Sequence, residues 1–189
     1  HASSLLSGIY NAAVIASKAI GKQVQVIDSC QVTLGLGFQV LAAAQLSRAG
    51  KTLAEIQKAV KDIYQRIHLV AMLDTLEYAY RSGRISWARS SLSAILQLKP
   101  FVGIEDGKVI RMGETRTRQK GIERLYRMLA EFGPLEQLAI LHTNAEAEAL
   151  QMVEYFKKVV QKHPLVVNVT SIIGVHVGPN GLGFVAVTL

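Results

Sequence analysis

Gln23-Val24-Gln25-Val26-Ile27, halted by Asp28-Ser29, alternates polar and β-branched residues as a half-buried strand does. Two helical patterns follow it. Residues 34–48 run up to Gly50, and residues 53–67 begin behind Thr52 and Glu55, a capping-box pair whose spacing satisfies two amides at a helix start. His68-Leu69-Val70-Ala71-Met72-Leu73 supplies the next strand. Strand, helix, helix, strand predicts an α/β chain with a parallel sheet covered by helices.

Upstream of this stretch, Leu6, Tyr10, Ala13 and Val14 recur at helical spacing and Ser17 continues their face, so a helix runs to about Ile20. Ser3, Ser4 and Ser7 precede or open it as N-cap candidates. Downstream, Asp74 or Thr75 caps a short helix ending at Gly83, and a further helix follows residues 84–86, runs through Leu96 and is closed by Lys99 and Pro100. Residues 101–104 and 108–112 flank Asp106-Gly107, a dipeptide that supplies the positive φ angles of a tight hairpin turn. A helix over 117–132, a strand over 137–142, a helix over 144–161, and strands over 165–173 and 182–188 complete the chain. A boundary near Arg66 leaves an α/β remnant in residues 1–66 and a complete α+β domain in residues 67–189.

With 189 residues, 50% of them hydrophobic and 19% charged, and with 4 prolines beside 15 glycines, the composition excludes disorder and collagen-like structure. Its apolar runs at 67–73 and 165–169 fall well short of the roughly 20 residues of a membrane span. Cys30, the single cysteine, rules out an internal disulfide and any metal site built on paired cysteines, and it fits a reducing cytoplasm. The chain opens at His1 without an initiator Met or a targeting signal, as a fragment or a processed chain would.

The net charge of +7 is unevenly placed. Residues 81–130 hold 11 Lys and Arg against 4 Asp and Glu, whereas the remainder balances at 10 of each. Such a block suits nucleic acid, an acidic protein or an anionic ligand. Aromatics make up 6% of the chain and fall mostly at core-like spacings, which argues against a nucleic-acid surface.

Four places could carry chemistry. Ser3, Ser4 and Ser7, followed by Gly8, stand at a helix start whose free amides and dipole suit a carboxylate or phosphate; ordinary capping uses the same residues. The run from Gly174 to Gly183 sets His176 among four glycines and Pro179 at a strand end, where an imidazole can donate to an anion or simply sit in a glycine-rich connection. Arg84, in Arg81-Ser82-Gly83-Arg84-Ile85-Ser86, suits carboxylate recognition or an inter-domain clamp as well as a surface charge. Arg111, Arg116, Arg118 and Lys120, with Arg124 and Arg127, form a basic strip, the usual mark of a solvated face. No Gly-x-Ser-x-Gly elbow, phosphate loop or metal-ligand spacing is present: His68, His142 and His163 are scattered, and no constellation demands catalysis or a metal.

Taken in order, Ser3-Ser4-Leu5-Leu6-Ser7-Gly8, Val26-Ile27-Asp28-Ser29, Gly35-Leu36-Gly37, Leu73-Asp74-Thr75-Leu76-Glu77-Tyr78, Ser82-Gly83-Arg84-Ile85-Ser86, Leu98-Lys99-Pro100, Arg116-Thr117 and His176-Val177-Gly178-Pro179 resemble the DegV family of bacterial fatty-acid-binding proteins from end to end. The resemblance implies a two-domain α/β architecture, with a remnant of the parallel-sheet domain before a complete α+β domain. One long-chain fatty acid would lie between the domains. It further implies a non-enzymatic cytoplasmic carrier without a cofactor, which hands the acid to a separate fatty acid kinase for conversion to acyl phosphate in phospholipid synthesis. Carried over by motif, Ser4 is the foremost carboxylate ligand, helped by Ser3 and Ser7, and His176 is the second. Arg84 falls near the domain junction, and Arg116 with Arg111, Arg118 and Lys120 would meet the kinase. Nucleic acid and a membrane span are not implied, and transient contact with a membrane surface stays open.

This chain departs from the family pattern in three ways. The upstream Asp-Ser and Thr-Ser-x-Pro-Ser blocks of the family are absent, Ile9 replaces a threonine, and Asn180 interrupts a Gly-Pro-Gly. A competing reading of the same serines and histidine is an enzyme or sensor for a small anionic metabolite.

Overall fold

The computed structural model describes residues 1–21, 24–85, 87 and 98–189. They form two compact units, His1–Ile67 with Ile104–Lys108, and His68–Gly103 with Val109–Leu189.

The first unit carries three helices, α1 (Ile9–Ile20), α2 (Thr33–Arg48) and α3 (Leu53–Tyr64). The face anticipated for α1 is the sheltered one: Tyr10, Ala13, Val14 and Ser17 are half-buried, while Ile9, Ile15 and Ile20 are exposed. At the start of α3 the Glu55 amide donates to Thr52 Oγ1 at 3.3 Å and the Thr52 amide donates to Glu55 Oε2 at 2.8 Å, closing the anticipated capping box. Its buried stripe is Val60 and Ile63, and α2 and α3 pack together.

Two expectations for this unit change. Residues 24–28 form no strand, Gln23 lying outside the described residues. Its backbone pairs with His1, through the His1 amino group on the Ile27 carbonyl and the Ser29 amide on the His1 carbonyl, and its side chains Gln25 and Asp28 bond Gln57, Ser4 and Cys30, none of which makes a ladder. Helix α3 stops at Tyr64 because Ile67 already opens strand β1 (Ile67–Met72).

After β1 come α4 (Glu77–Arg81), β2 (Lys99–Glu105), β3 (Lys108–Thr115), α5 (Arg118–Ala130), β4 (Leu135–His142), α6 (Glu146–Phe156), a 3₁₀ turn (Lys157–Val159), β5 (Leu165–Asn168), α7 (Ser171–Val177) and β6 (Leu182–Thr188). The six strands make one sheet in the order β3-β2-β1-β6-β4-β5. It is mixed rather than parallel: β1 pairs antiparallel with β2 and β4 antiparallel with β6, while β4 and β5 run parallel across the α6 crossover. The chain is thus a mixed α/β fold. Six of the seven residues of β6 are buried, as expected of an apolar strand flanked on both sides and covered on both faces. Phe184 and Ala186 from β6 join Leu138 and Ile140 from β4, Leu125 and Leu129 from α5, and Met152 and Phe156 from α6 in the main core.

The hairpin between β2 and β3 turns as anticipated, with φ of 46° at Asp106 and 75° at Gly107. Its strand begins at Lys99, so Lys99 and Pro100 open β2 instead of closing a helix. The helix expected through Leu96 falls on residues 88–97, outside those described. Helix α6 starts at Glu146, since Asn144 adopts a positive φ of 56°, and ends at Phe156.

The strand expected over 165–173 ends at Asn168, where it faces His142, the last residue of β4. Beyond that pair β4 offers no further partner, and the Thr170 carbonyl instead accepts the amides of Ile173 and Gly174, starting α7. His176 therefore rides on the last turn of a helix and not on a strand end.

Candidate functional site

In the first unit the serine block is a tight turn ahead of α1. The Ser3 carbonyl accepts the amides of Leu6 and Ser7, both at 3.0 Å, and Gly8 takes the N-cap position without any side-chain cap bond. None of the three serines is the helix cap, which corrects the capping reading. The Ser7 hydroxyl accepts the Ile9 amide at 3.3 Å.

The serines play different parts. Ser3 is fully buried: its hydroxyl donates to the Gly107 carbonyl at 2.7 Å and accepts the Leu5 amide at 3.2 Å, pinning the hairpin tip that belongs to this unit. A Cβ at Gly107 would lie 2.6 Å from the Ser3 oxygen, so glycine is required there both for its φ and for this approach. Ser3→Ala strands the Gly107 carbonyl and the Leu5 amide, and we expect it to lower the free energy of unfolding in urea by about 1–3 kcal/mol. An unchanged unfolding midpoint would show that Ser3 pins nothing.

Ser4 is half-buried and faces Asp28. Its amide donates to Asp28 Oδ2 at 3.2 Å, and the Cys30 amide donates to Oδ1 at 2.9 Å. Burial by itself would raise the Asp28 pKa, but the Ser4 hydroxyl and these two amides outweigh it and hold the carboxyl below its ordinary range. Around this pair lie buried Ser29, Gln31 and Gln39, the last donating to the carbonyls of Ser29 and Gly35. In the sequence Asp28 only ends a strand pattern and belongs to a motif; its bond to the Ser4 amide, 24 residues away, depends on the fold.

In the second unit His176 is half-buried, and its Nδ1 is buried without a hydrogen-bond partner among the described residues. Burial, and secondarily the Arg84 charge, push its pKa below 6.5, so the imidazole is neutral near pH 7. Arg84 is exposed and donates to the Ser82 carbonyl at 2.6 Å. Helix α4, which ends three residues before Arg84, meets the end of α7 through Tyr78, whose ring lies so near Gly178 that a Cβ there would come within 2.4 Å of it.

The basic strip is not uniform. Arg118 grips Glu148 with two bonds and donates to the Asn180 carbonyl at 2.6 Å, while Arg111 pairs with Glu114 at 2.7 Å. Arg124 reaches the Met112 carbonyl and lies over the Phe101 ring. Arg116 and Lys120 are exposed, and their side-chain charges have no partner among the described residues. Among those residues no group of three His, Cys, Asp or Glu is placed to hold a metal ion, and no helix is long and apolar enough to cross a membrane.

Comparison with known protein families matches residues 1–189 to the family described as "Uncharacterised protein, DegV family". A DegV domain-containing protein of Streptomyces coelicolor is 32% identical over 191 residues, covering 98% of this chain and 67% of its own length. Among solved structures, a DegV family protein of Thermus thermophilus described for its fatty-acid binding superposes with a TM-score of 0.89 at 27% identity, covering 100% of this chain and 69% of its own. DegV of Bacillus subtilis, described as a fatty acid binding protein, gives a TM-score of 0.83 at 28% identity with the same coverage. The chain thus spans 66–69% of the length of such relatives.

Proposed function

The chain belongs to the DegV family, and on that premise we propose that it binds one long-chain fatty acid and presents the carboxylate to a separate fatty acid kinase. What carries this reading is the likeness, over 100% of this chain and 69% of theirs, to two proteins described as binding fatty acids, each above 25% identity. Residues 1–66 and 67–189 act, in this proposal, as the remnant of a first domain and as a second domain.

The physical division of labour is simple. Each CH₂ taken from water contributes about 0.8 kcal/mol, so a tail of some 14 methylenes supplies on the order of 11 kcal/mol and dominates affinity. The head site has only to orient the carboxylate. We assign that to Ser4 and Ser7 together with His176, whose buried Nδ1 lacks a partner among the described residues. Ser3 supports the turn, its hydroxyl being spent on Gly107 and Leu5. Arg84 tunes His176 through its charge. No residue of the chain is assigned a catalytic role; the kinase supplies the chemistry.

Purified protein, denatured and extracted, should yield long-chain fatty acid approaching one per chain by mass spectrometry. A small acidic metabolite in its place would overturn the proposal in favour of a metabolite enzyme or sensor.

Arg116 and Lys120 are the free cations proposed to meet an acidic kinase surface. Arg116→Glu should leave fatty-acid binding unchanged and slow acyl-phosphate production with added kinase, most strongly at low salt, because surface charge acts mainly on association rate. Equal loss in both assays would place Arg116 at the lipid instead.

A further inference from the structure

Both ends of the turn that follows His176 are bonded by one side chain, Thr143. Gly178, Pro179, Asn180 and Gly181 lead from the end of α7 into β6. The Gly178 amide still donates to Gly174 at 2.8 Å as the last helical bond, while its carbonyl accepts the Thr143 hydroxyl at 2.7 Å. The same hydroxyl oxygen accepts the Gly181 amide at 2.7 Å, and the Thr143 amide donates to the Gly181 carbonyl at 3.0 Å. One threonine thus closes both ends of the turn, using its one proton and a lone pair.

From this geometry we infer that Thr143 is a positioning residue for the head-group site, fixing the last turn of α7 and with it the His176 imidazole. Three observations support the assignment. Thr143 directly follows His142, whose pairing with Leu182 puts the start of β6, and the turn before it, beside Thr143. Gly178 is only two residues from His176, and it is pressed from the other side by the Tyr78 ring. A Cβ on Gly181 would lie 3.0 Å from the Thr143 oxygen, so the turn is built closely around that hydroxyl. Arg118, through the Asn180 carbonyl, holds the middle of the turn but touches neither of its ends.

The importance of the site rests on the proposed role of His176 as a carboxylate ligand, whereas its geometry does not, and the test separates the two. Thr143→Val keeps the shape and removes both hydroxyl bonds; Thr143→Ser keeps both. NMR titration of the His176 imidazole in the ligand-free protein is the primary readout. In Thr143→Val the pKa should move up toward the ordinary 6.5 as the ring leaves its sheltered place and the Arg84 charge, and Thr143→Ser should titrate as wild type. Oleate affinity should fall about tenfold in the Val variant, the loss expected for one misplaced buried hydrogen bond, and recover in the Ser variant. Thr143→Ala carries the same expectation should the Val variant fail to fold. An unmoved His176 titration in the folded Val or Ala variant, or a displaced one in the Ser variant, overturns the inference. A moved titration with full oleate affinity sustains the positioning and removes His176 from the lipid site.

Discussion

Gly183→Ala is expected to cost about 3 kcal/mol of stability, and Gly183→Val to leave the second unit largely unfolded, because overpacking against backbone cannot relax as overpacking against side chains can. A Cβ at this position of β6 would lie 2.5 Å from the Val70 carbonyl and 2.8 Å from the Ala71 Cα, both main-chain atoms of β1. Relief would require β1 and β6 to part in the middle of the sheet, where every β6 residue from Leu182 to Val187 is buried. Gly121 of α5 is the control. Its added Cβ meets the Met72 sulfur at 2.1 Å, a tighter approach on paper, but that sulfur can swing away with its side chain. Urea denaturation should therefore rank Gly183→Ala well below Gly121→Ala. The reverse order would mean that the close approach of β6 to β1 is not a constraint on the fold.

His176→Ala should weaken fatty-acid binding by about 1.5–3 kcal/mol, or roughly ten- to a hundredfold, the range for losing a hydrogen bond to a charged group. The tail contributes several times more, so binding is weakened and not abolished. The pH dependence is the sharper signature. Burial and the Arg84 charge hold the imidazole neutral in the empty protein, and a carboxylate placed beside it favours the protonated ring. Binding then takes up a proton, and affinity rises as pH falls from about 7.5 to about 6, above the range near 4–5 where the acid itself is protonated. The empty fold behaves oppositely. His176 and also His68, half-buried and stacked 4.3 Å from Phe132, have pKa values below the unfolded value of about 6.5, so the unfolded chain binds more protons in that window. Stability is full above about pH 6.5 and declines below it. Melting curves between pH 7.5 and 5.5 should thus show a falling midpoint without ligand and a smaller fall with oleate. A pH-independent affinity would detach His176 from the carboxylate.

Elements whose sequence states their own local physics were legible. Thr52 and Glu55 cap α3, and Asp106-Gly107 turns the hairpin, because each depends on a few adjacent residues. Two strand expectations failed for one reason: alternation and β-branching announce a willing strand but not a partner. Residues 24–28 have no strand to pair with among the described residues, only the short stretch of backbone at His1, and residues after Asn168 outrun β4. The second failure moved His176 from a strand end to a helix. The serine block was visible as a candidate, yet the separation of Ser3, spent on Gly107, from Ser4, turned to Asp28, depends on contacts across more than twenty residues. Thr143 was invisible for the same reason, since its partners Gly178 and Gly181 lie more than thirty residues away.

The most direct test of the account is a titration of carboxyl-¹³C-labelled palmitate into the protein, followed by NMR. The account predicts one bound carboxyl resonance, saturating at one acid per chain, whose shift changes in both Ser4→Ala and His176→Ala and whose pH response disappears in the latter. A bound resonance identical in wild type and both variants would contradict the head-group assignment, and the absence of any bound resonance would contradict fatty-acid binding itself.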